Sequence, residues 1–327
     1  MVKVGIISKW HVHAEGYAQN VNESGVAKVT AVWDDDEARG KEFAEQLGCD
    51  YYSDLDAMLE TVDAVVNTSE TTKHFELLKK AVNAGKAVFT EKVVAPTVEE
   101  CEKLADLIEE KGITFTVSLP QLSSGVTRFA KEMIDRGDFG KITAARIRNG
   151  HDGVSGGWLP EYWFDVDAAA GGSLLDLGCH PMYTANYLFG KAKRISSLMT
   201  APFGSKVDEA ATAIIEFENG VICDAETSFD TYATPGSLEI YGSEATLISV
   251  GRDVKVFSRK FEETLGTKGP FVPKIPESLP IPLIIFLHAV ADGTGTPENL
   301  GPRAGVELTR LLENSYVSER ENRIVEL

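Results

Sequence analysis

The run Val2-Lys3-Val4-Gly5-Ile6-Ile7-Ser8 opens the chain and sets its architecture. A nearly unbroken apolar stretch of this length reads as a strand covered on both faces, the kind that builds parallel sheets. The same reading recurs at Val29 to Trp33, Ala64 to Thr68, Ala87 to Thr90 and Ile113 to Val117. Helical segments lie between them. One runs from about Glu37 to a stop at Gly48, and another from about Lys73 to Gly85. A third is opened by Thr97 and Glu100, a capping-box pattern behind Pro96. Val98, Cys101, Leu104, Ala105 and Ile108 then share one helical face, and Gly112 follows the last turn. Five strands alternating with four helices predict an α/β domain with a doubly wound parallel sheet over residues 1–120.

After residue 120 the pattern changes. A helix from about Val126 to Arg136 leads to a strand from Ile142 to Arg148, a loop rich in Gly, Trp and Asp, and a helical segment over 172–189. From Ala211 to Arg259 the alternation is that of half-buried strands. Ala213, Ile215 and Phe217, then Val221, Cys223 and Ala225, alternate with polar residues, and Asn219-Gly220 marks a tight hairpin between them. Gly242 and Gly251 punctuate two further strands. The segment 260–285 reads as a proline-containing surface excursion, and a last helix covers about Arg303 to Glu319. Residues 121–327 are therefore expected to form an α+β domain on an open, mainly antiparallel sheet.

Composition narrows the function. The 327 residues are 43% hydrophobic and 25% charged, as in globular proteins, with 32 basic against 50 acidic side chains and a formal charge of −18. Such a surface repels nucleic-acid phosphates and anionic headgroups, so neither nucleic acid nor membrane is an expected partner. The longest apolar run, Ile281 to Ala291, is shorter than the ~18 residues a membrane span requires. The N-terminal stretch lacks a small-residue cleavage site, and Cys49, Cys101, Cys179 and Cys223 form no C-x-x-C pair. These features fit reduced thiols and a cytoplasmic location.

Ligands of doubly wound sheets bind outside the C-terminal strand ends. A dinucleotide loop usually carries G-x-G-x-x-G there, because glycines let the backbone approach a pyrophosphate. In this chain those places hold Ser8, Trp10 and His13. Backbone N–H groups and the Ser8 hydroxyl are left to meet a phosphate. Asp34, after the second strand, is the candidate acceptor for an adenosine ribose, and with Asp35 and Asp36 it disfavours a 2′-phosphate, so NAD is expected over NADP. His11 and His13 also make a His-x-His pair. A metal there needs further His or carboxylate ligands from later strand ends, and polar loop residues are the preferred reading, with no metal expected.

The fourth strand ends Gly85-Lys86-Ala87-Val88-Phe89-Thr90-Glu91-Lys92-Val93. Here the chain resembles the family of glucose–fructose oxidoreductase and inositol 2-dehydrogenase (Gfo/Idh/MocA), which shows G-k-x-V-x-x-E-K-P at this place. Asp63-Ala64-Val65-Val66-Asn67-Thr68 followed by His74 resembles the family's D-x-V-x-I-x-T and His. Trp163-Phe164-Asp165 and Gly171-Gly172-Ser173-Leu174-Leu175-Asp176-Leu177-Gly178-Cys179-His180 resemble its distal block, in which a run of three glycines is followed by D-x-G-x-H. The departures are Val93 for proline, Ser173 for the third glycine, and the glycine-free loop.

The resemblance implies a Rossmann domain followed by a substrate-binding and oligomerisation domain. It implies reversible oxidation of a secondary alcohol of a sugar or polyol by a nicotinamide. It places Ser8, Trp10, His11, His13, Asp34, Thr68, Ser69, His74, Glu91 and Lys92 at the cofactor, and Trp163, Asp165, Asp176 and His180 at the substrate. Lys92, at a strand end, is placed to polarise the reacting oxygen, and His180 to exchange a proton, with Asp176 as its orienter. Pro181 breaks a straight helix at this point, so the helix is expected to kink or to restart with Pro181 in its first turn. Trp158 and Tyr162 add aromatic faces suited to a polyol. Two alternatives are an NAD-retaining glycoside hydrolase and a catalytically silent cofactor or ligand sensor. Ile214, Ile222 and Ile248 among acids on an outer sheet face predict a homodimer or homotetramer.

Overall fold

A computed structural model of the chain describes residues 1–233 and 236–327. The first part runs β1 (Val2–Ile7), α1 (Ala14–Glu23), β2 (Ala27–Trp33), α2 (Glu37–Leu47), β3 (Asp50–Tyr52), α3 (Leu55–Thr61), β4 (Ala64–Asn67), α4 (His74–Asn83), β5 (Ala87–Thr90), α5 (Val98–Lys111) and β6 (Phe115–Val117). The second runs α6 (Gly125–Asp135), β7 (Ile142–Gly150), α7 (Val166–Ala169), α8 (Cys179–Phe189), β8 (Ala192–Thr200), β9 (Ala210–Phe217), β10 (Ile222–Ser228), β11 (Ser237–Gly242), β12 (Ala245–Val250), β13 (Asp253–Ser258) and α9 (Arg259–Leu265). The chain closes with α10 (Pro282–Asp292), α11 (Pro302–Glu321) and β14 (Val325–Glu326). No helix among the described residues is long and apolar enough to cross a membrane.

Two compact units result, residues 1–120 with 280–309, and residues 121–279 with 310–327. The sequence reading placed 280–309 in the second domain. The structure puts it in the first, because Leu283, Phe286 and Leu287 of α10 join the same buried cluster as Val4, Ala14, Val32 and Phe89.

In the first unit six parallel strands are ordered β3-β2-β1-β4-β5-β6. The order reverses between β1 and β4, which opens a crevice at their C-terminal ends. The helix ends follow the sequence. Thr97 accepts the Glu100 N–H at 3.3 Å, Asp36 accepts those of Ala38 and Arg39, and Gly48 and Gly112 close their helices at φ +64°. The pair β3 and α3 was not foreseen. Asp50-Tyr51-Tyr52 is a three-residue edge strand that bears no apolar run, and α3 is only seven residues long.

The second unit holds an eight-stranded sheet ordered β13-β12-β11-β7-β10-β9-β8-β14, antiparallel except for the β7–β10 pair. Asn219-Gly220 forms the expected hairpin, with Gly220 at φ +87°. One face of this sheet is buried by Ala213, Ile215, Cys223, Ile240 and Leu247. The other exposes Leu198, Ile214 and Ile222.

Candidate functional site

The loop after β1 carries the first set of candidates. Ser8 holds φ +66°, the left-handed region that glycine usually supplies at this turn. Its hydroxyl donates to Asp34 at 3.2 Å and accepts the Trp10 N–H at 3.1 Å. The His11 N–H donates to the Thr68 carbonyl at 3.0 Å, and the His13 N–H to His11 Nδ1 at 3.1 Å. Thr68 Oγ1 returns a bond to the Ser8 carbonyl at 2.5 Å, and Ser69 Oγ donates to Asn67 Oδ1 at 2.9 Å. Trp10, Thr68 and Ser69 are buried. The loop is thus held largely by its own backbone donors.

Asp34 is more heavily engaged than its position in the sequence suggests. Its side chain is fully buried and Arg39 lies across it, with Nη2 at 2.6 Å from Oδ1 and Nε at 2.9 Å from Oδ2. The N–H groups of Lys9, at 2.7 Å, and Asp36, at 2.9 Å, complete its shell. Arg39 also meets Asp35 at 3.0 Å, and Asp35 takes Lys73 at 2.5 Å. A ribose hydroxyl approaching Asp34 competes with these donors. Lys73 is a second cation at this edge, beside Arg39.

At the end of β5, Glu91 is completely buried. Its Oε1 meets His13 Nδ1 at 2.7 Å and the Tyr17 hydroxyl, and its Oε2 accepts the Lys92 N–H at 3.0 Å. Tyr17 also bonds Ser118 Oγ at 2.8 Å. Burial alone pushes the Glu91 carboxyl up, but His11, His13 and Lys92 hold it well below the usual carboxylate range. The Lys92 side chain is buried, and the Lys92–Val93 peptide is cis. His74 is buried under the same turn, with Nδ1 at 2.7 Å from the Val93 carbonyl and Nε2 at 3.2 Å from that of Ser69. Burial pushes this imidazole down. A neutral ring has one N–H, and the shorter contact assigns it to Nδ1, so His74 tethers the turn that carries Lys92.

In the second unit, Asp208 organises the distal block. It accepts the N–H groups of Gly172, at 3.1 Å, and Leu174, at 2.7 Å, together with the hydroxyls of Ser173, at 3.0 Å, and Tyr316, at 2.8 Å. Gly172 is required here, since a Cβ would lie 2.1 Å from the Asp208 carbonyl oxygen. The chain then makes a π-helical turn, Leu174–Gly178, and α8 restarts at Cys179 with Pro181 in its first turn. Asp176 lies in that wide turn and His180 at the restart. His180 Nδ1 pairs with the Tyr183 hydroxyl at 2.7 Å, which accepts the Gln121 N–H at 3.0 Å. His180 lines a cavity of about 180 Å³ walled by Gln121, Thr127, Arg148, Asn149, Thr184 and Ser249. Neither Tyr183 nor Asp208 was singled out in the sequence. Tyr183 stands three residues after His180, a helical spacing that signals the contact, whereas Asp208 gives no local sign.

The loop before the block is placed less favourably. Trp163 is buried, and the Asp165 carboxylate caps α7 by accepting the Asp167 N–H at 3.1 Å. Trp158 is exposed, with its indole N–H on Asp152 at 3.0 Å, and Tyr162 is exposed too.

Comparison with known proteins follows the same division. Residues 2–119 match the model of the GFO/IDH/MocA oxidoreductase family with NAD-binding Rossmann fold, and residues 127–248 match the GFO/IDH/MocA C-terminal domain. D-xylose dehydrogenase of Paenarthrobacter nicotinovorans is 30% identical over 63% of this chain, and the chain spans 54% of that protein. D-xylose 1-dehydrogenase (NADP(+)) 2 of Haloferax volcanii is 24% identical over 92% of both chains. The scyllo-inositol 2-dehydrogenase (NAD(+)) of Bacillus subtilis is 27% identical over 77% of this chain and 73% of its own. Levoglucosan dehydrogenase, solved with NADH and levoglucosan, superposes with a TM-score of 0.86 at 19% identity over 99% of each chain.

Proposed function

The chain belongs to the GFO/IDH/MocA family of oxidoreductases, and from that premise we propose that it is a nicotinamide-dependent dehydrogenase or reductase of a secondary alcohol on a sugar, polyol or related small molecule. One observation carries the reading. A buried lysine, Lys92, sits at the C-terminal end of β5 beside the point where strand order reverses, held between Glu91 and the His74-tethered turn.

The edge fits a nicotinamide dinucleotide in its switch-point crevice and in the left-handed backbone of Ser8. Ser8, Trp10, His11, His13, Thr68, Ser69, His74 and Glu91 are the residues proposed to hold it, with Asp34 or the more exposed Asp35 toward the ribose. When bound, the cofactor accepts or supplies the hydride. Lys92 polarises the reacting oxygen. His180, its ring fixed through Nδ1 by Tyr183, exchanges the hydroxyl proton at Nε2, and Asp176 orients the substrate. The hydroxyl, amide and guanidinium groups around His180 suit a polyhydroxylated ligand.

NAD is the proposed cofactor. Three carboxylates line this edge, and Arg39 and Lys73 are already paired to them. One uncompensated repulsion at ~4 Å is worth about 1 kcal/mol in water and about 4 at an effective dielectric near 20. Titration of the purified protein should therefore show NAD at least ~10-fold tighter than NADP, with turnover on a panel of sugars and polyols. Equal binding of NADP overturns the choice of cofactor, and cofactor binding without turnover of any alcohol overturns the dehydrogenase. That second outcome is the one expected of a silent sensor, a reading favoured by a loop whose donors are spent internally. The relatives named above are dehydrogenases, and the comparisons lend no support to a glycoside hydrolase.

The free cysteines fit a cytoplasmic enzyme. The outer sheet face with Leu198, Ile214 and Ile222 exposed fits a homodimer or homotetramer. Light scattering at micromolar concentration should give at least twice the 35.5 kDa chain mass. A monomer throughout that range contradicts the assembly.

A further inference from the structure

His11, His13 and Glu91 bring two imidazoles and a carboxylate together from two strand ends of the first unit, with their ligating atoms within 4.8 Å of one another. The geometry points to a binding site for one divalent transition-metal ion of the zinc class on these three residues. His11, His13 and Glu91 are also among the residues proposed above to hold the dinucleotide, so an ion here shares them with the cofactor, and the site is tested with the metal alone.

The donor set is that of three-ligand sites for zinc and related ions, which leave one coordination position for an oxygen ligand. Ligands around such an ion sit roughly 3.3 Å apart when its bonds are about 2.0–2.2 Å long, so closure from the observed spacing takes side-chain shifts of about an ångström. The carboxylate is already aimed. Tyr17 and the Lys92 N–H hold its two oxygens, and Ser118 holds Tyr17. Such outer contacts are what fix the ligands of metal sites.

Glu91 is fully buried, and the two imidazole rings beside it are 4.5 Å apart. A single ion between them contacts all three groups. The sequence argument against a metal was the want of a ligand from a later strand end, and Glu91 supplies it from 78 residues away.

The test uses the full-length chain, stripped with a chelator, dialysed, and titrated with Zn²⁺ by calorimetry in parallel with elemental analysis. One ion per chain is expected, bound at micromolar concentration or tighter. His13→Ala should weaken binding at least ~100-fold, and Tyr17→Phe roughly 10-fold through loss of the outer contact. His13 is half exposed, so its removal leaves the fold intact, which a thermal melt confirms. Glu91→Gln gives a second reading on the carboxylate and should also lose the ion. Absence of saturable binding, or wild-type affinity in the folded His13→Ala protein, overturns the site.

Discussion

Replacing Lys92 by alanine is expected to lower turnover at least ~10²-fold, the loss typical of a removed acid–base group, while leaving cofactor affinity nearly unchanged. The two effects separate because of how the residue is held. Its backbone N–H bonds Glu91 and its neighbour Val93 is tethered by His74, so the turn keeps its shape without the side chain. What disappears is the ammonium, whose charge is worth most when negative charge grows on the reacting oxygen. Lys92→Arg is expected to recover little, because a planar guanidinium delivers its donors in a fixed fork. Steady-state rates with a direct cofactor titration check both halves. Near-normal turnover in Lys92→Ala removes the residue from the mechanism.

The second large effect is on stability. Asp34→Ala should cost about 3 kcal/mol, the low end for breaking a buried ion pair, because Arg39 is about a quarter exposed and recovers some hydration. The change also strands the N–H groups of Lys9 and Asp36, two donors that shape the loop. For a unit of this size the loss corresponds to a fall of roughly 6–12 °C in melting temperature. Asp36→Ala is the control, since it removes only the α2 cap, worth about 1 kcal/mol. If Asp34 served the ribose alone, its removal would weaken NAD binding and leave the melt unmoved. A melting temperature within a degree or two of wild type would refute the structural role.

The contrast between these residues shows what the sequence made legible. Strand runs, the Thr97 cap, the Asn219-Gly220 hairpin and the break at Pro181 are local signals, and each appears where local physics puts it. Glu91, Lys92 and His180 were singled out because their neighbours in sequence resemble a known pattern. Saturation of Asp34 was hidden, because its carboxylate is filled partly by an arginine one turn into the next helix and by a loop about 25 residues earlier. Asp208 lies 36 residues beyond Gly172, and only the fold brings the two together. The Asp165 cap on α7 was open to recognition from its Asx spacing, but the aromatic company it keeps drew the reading toward substrate.

The return of residues 280–309 to the first unit bears on how the protein is made. Phe286 packs on Phe89 with ring centroids 5.9 Å apart, Thr296 accepts the Phe115 N–H at 3.0 Å, and the Leu300 carbonyl accepts that of Val117. A nascent chain that has emerged through residue 120 therefore has the six strands of the sheet but not the helix that covers part of its apolar face. At 5–20 residues per second the ribosome needs about 10–40 s more before residue 309 is free. Through that interval Val4, Val32 and Phe89 lack their final cover, and β6 offers an open edge. The first unit is thus completed only after the whole of residues 121–279 has been made and residues 280–309 have followed.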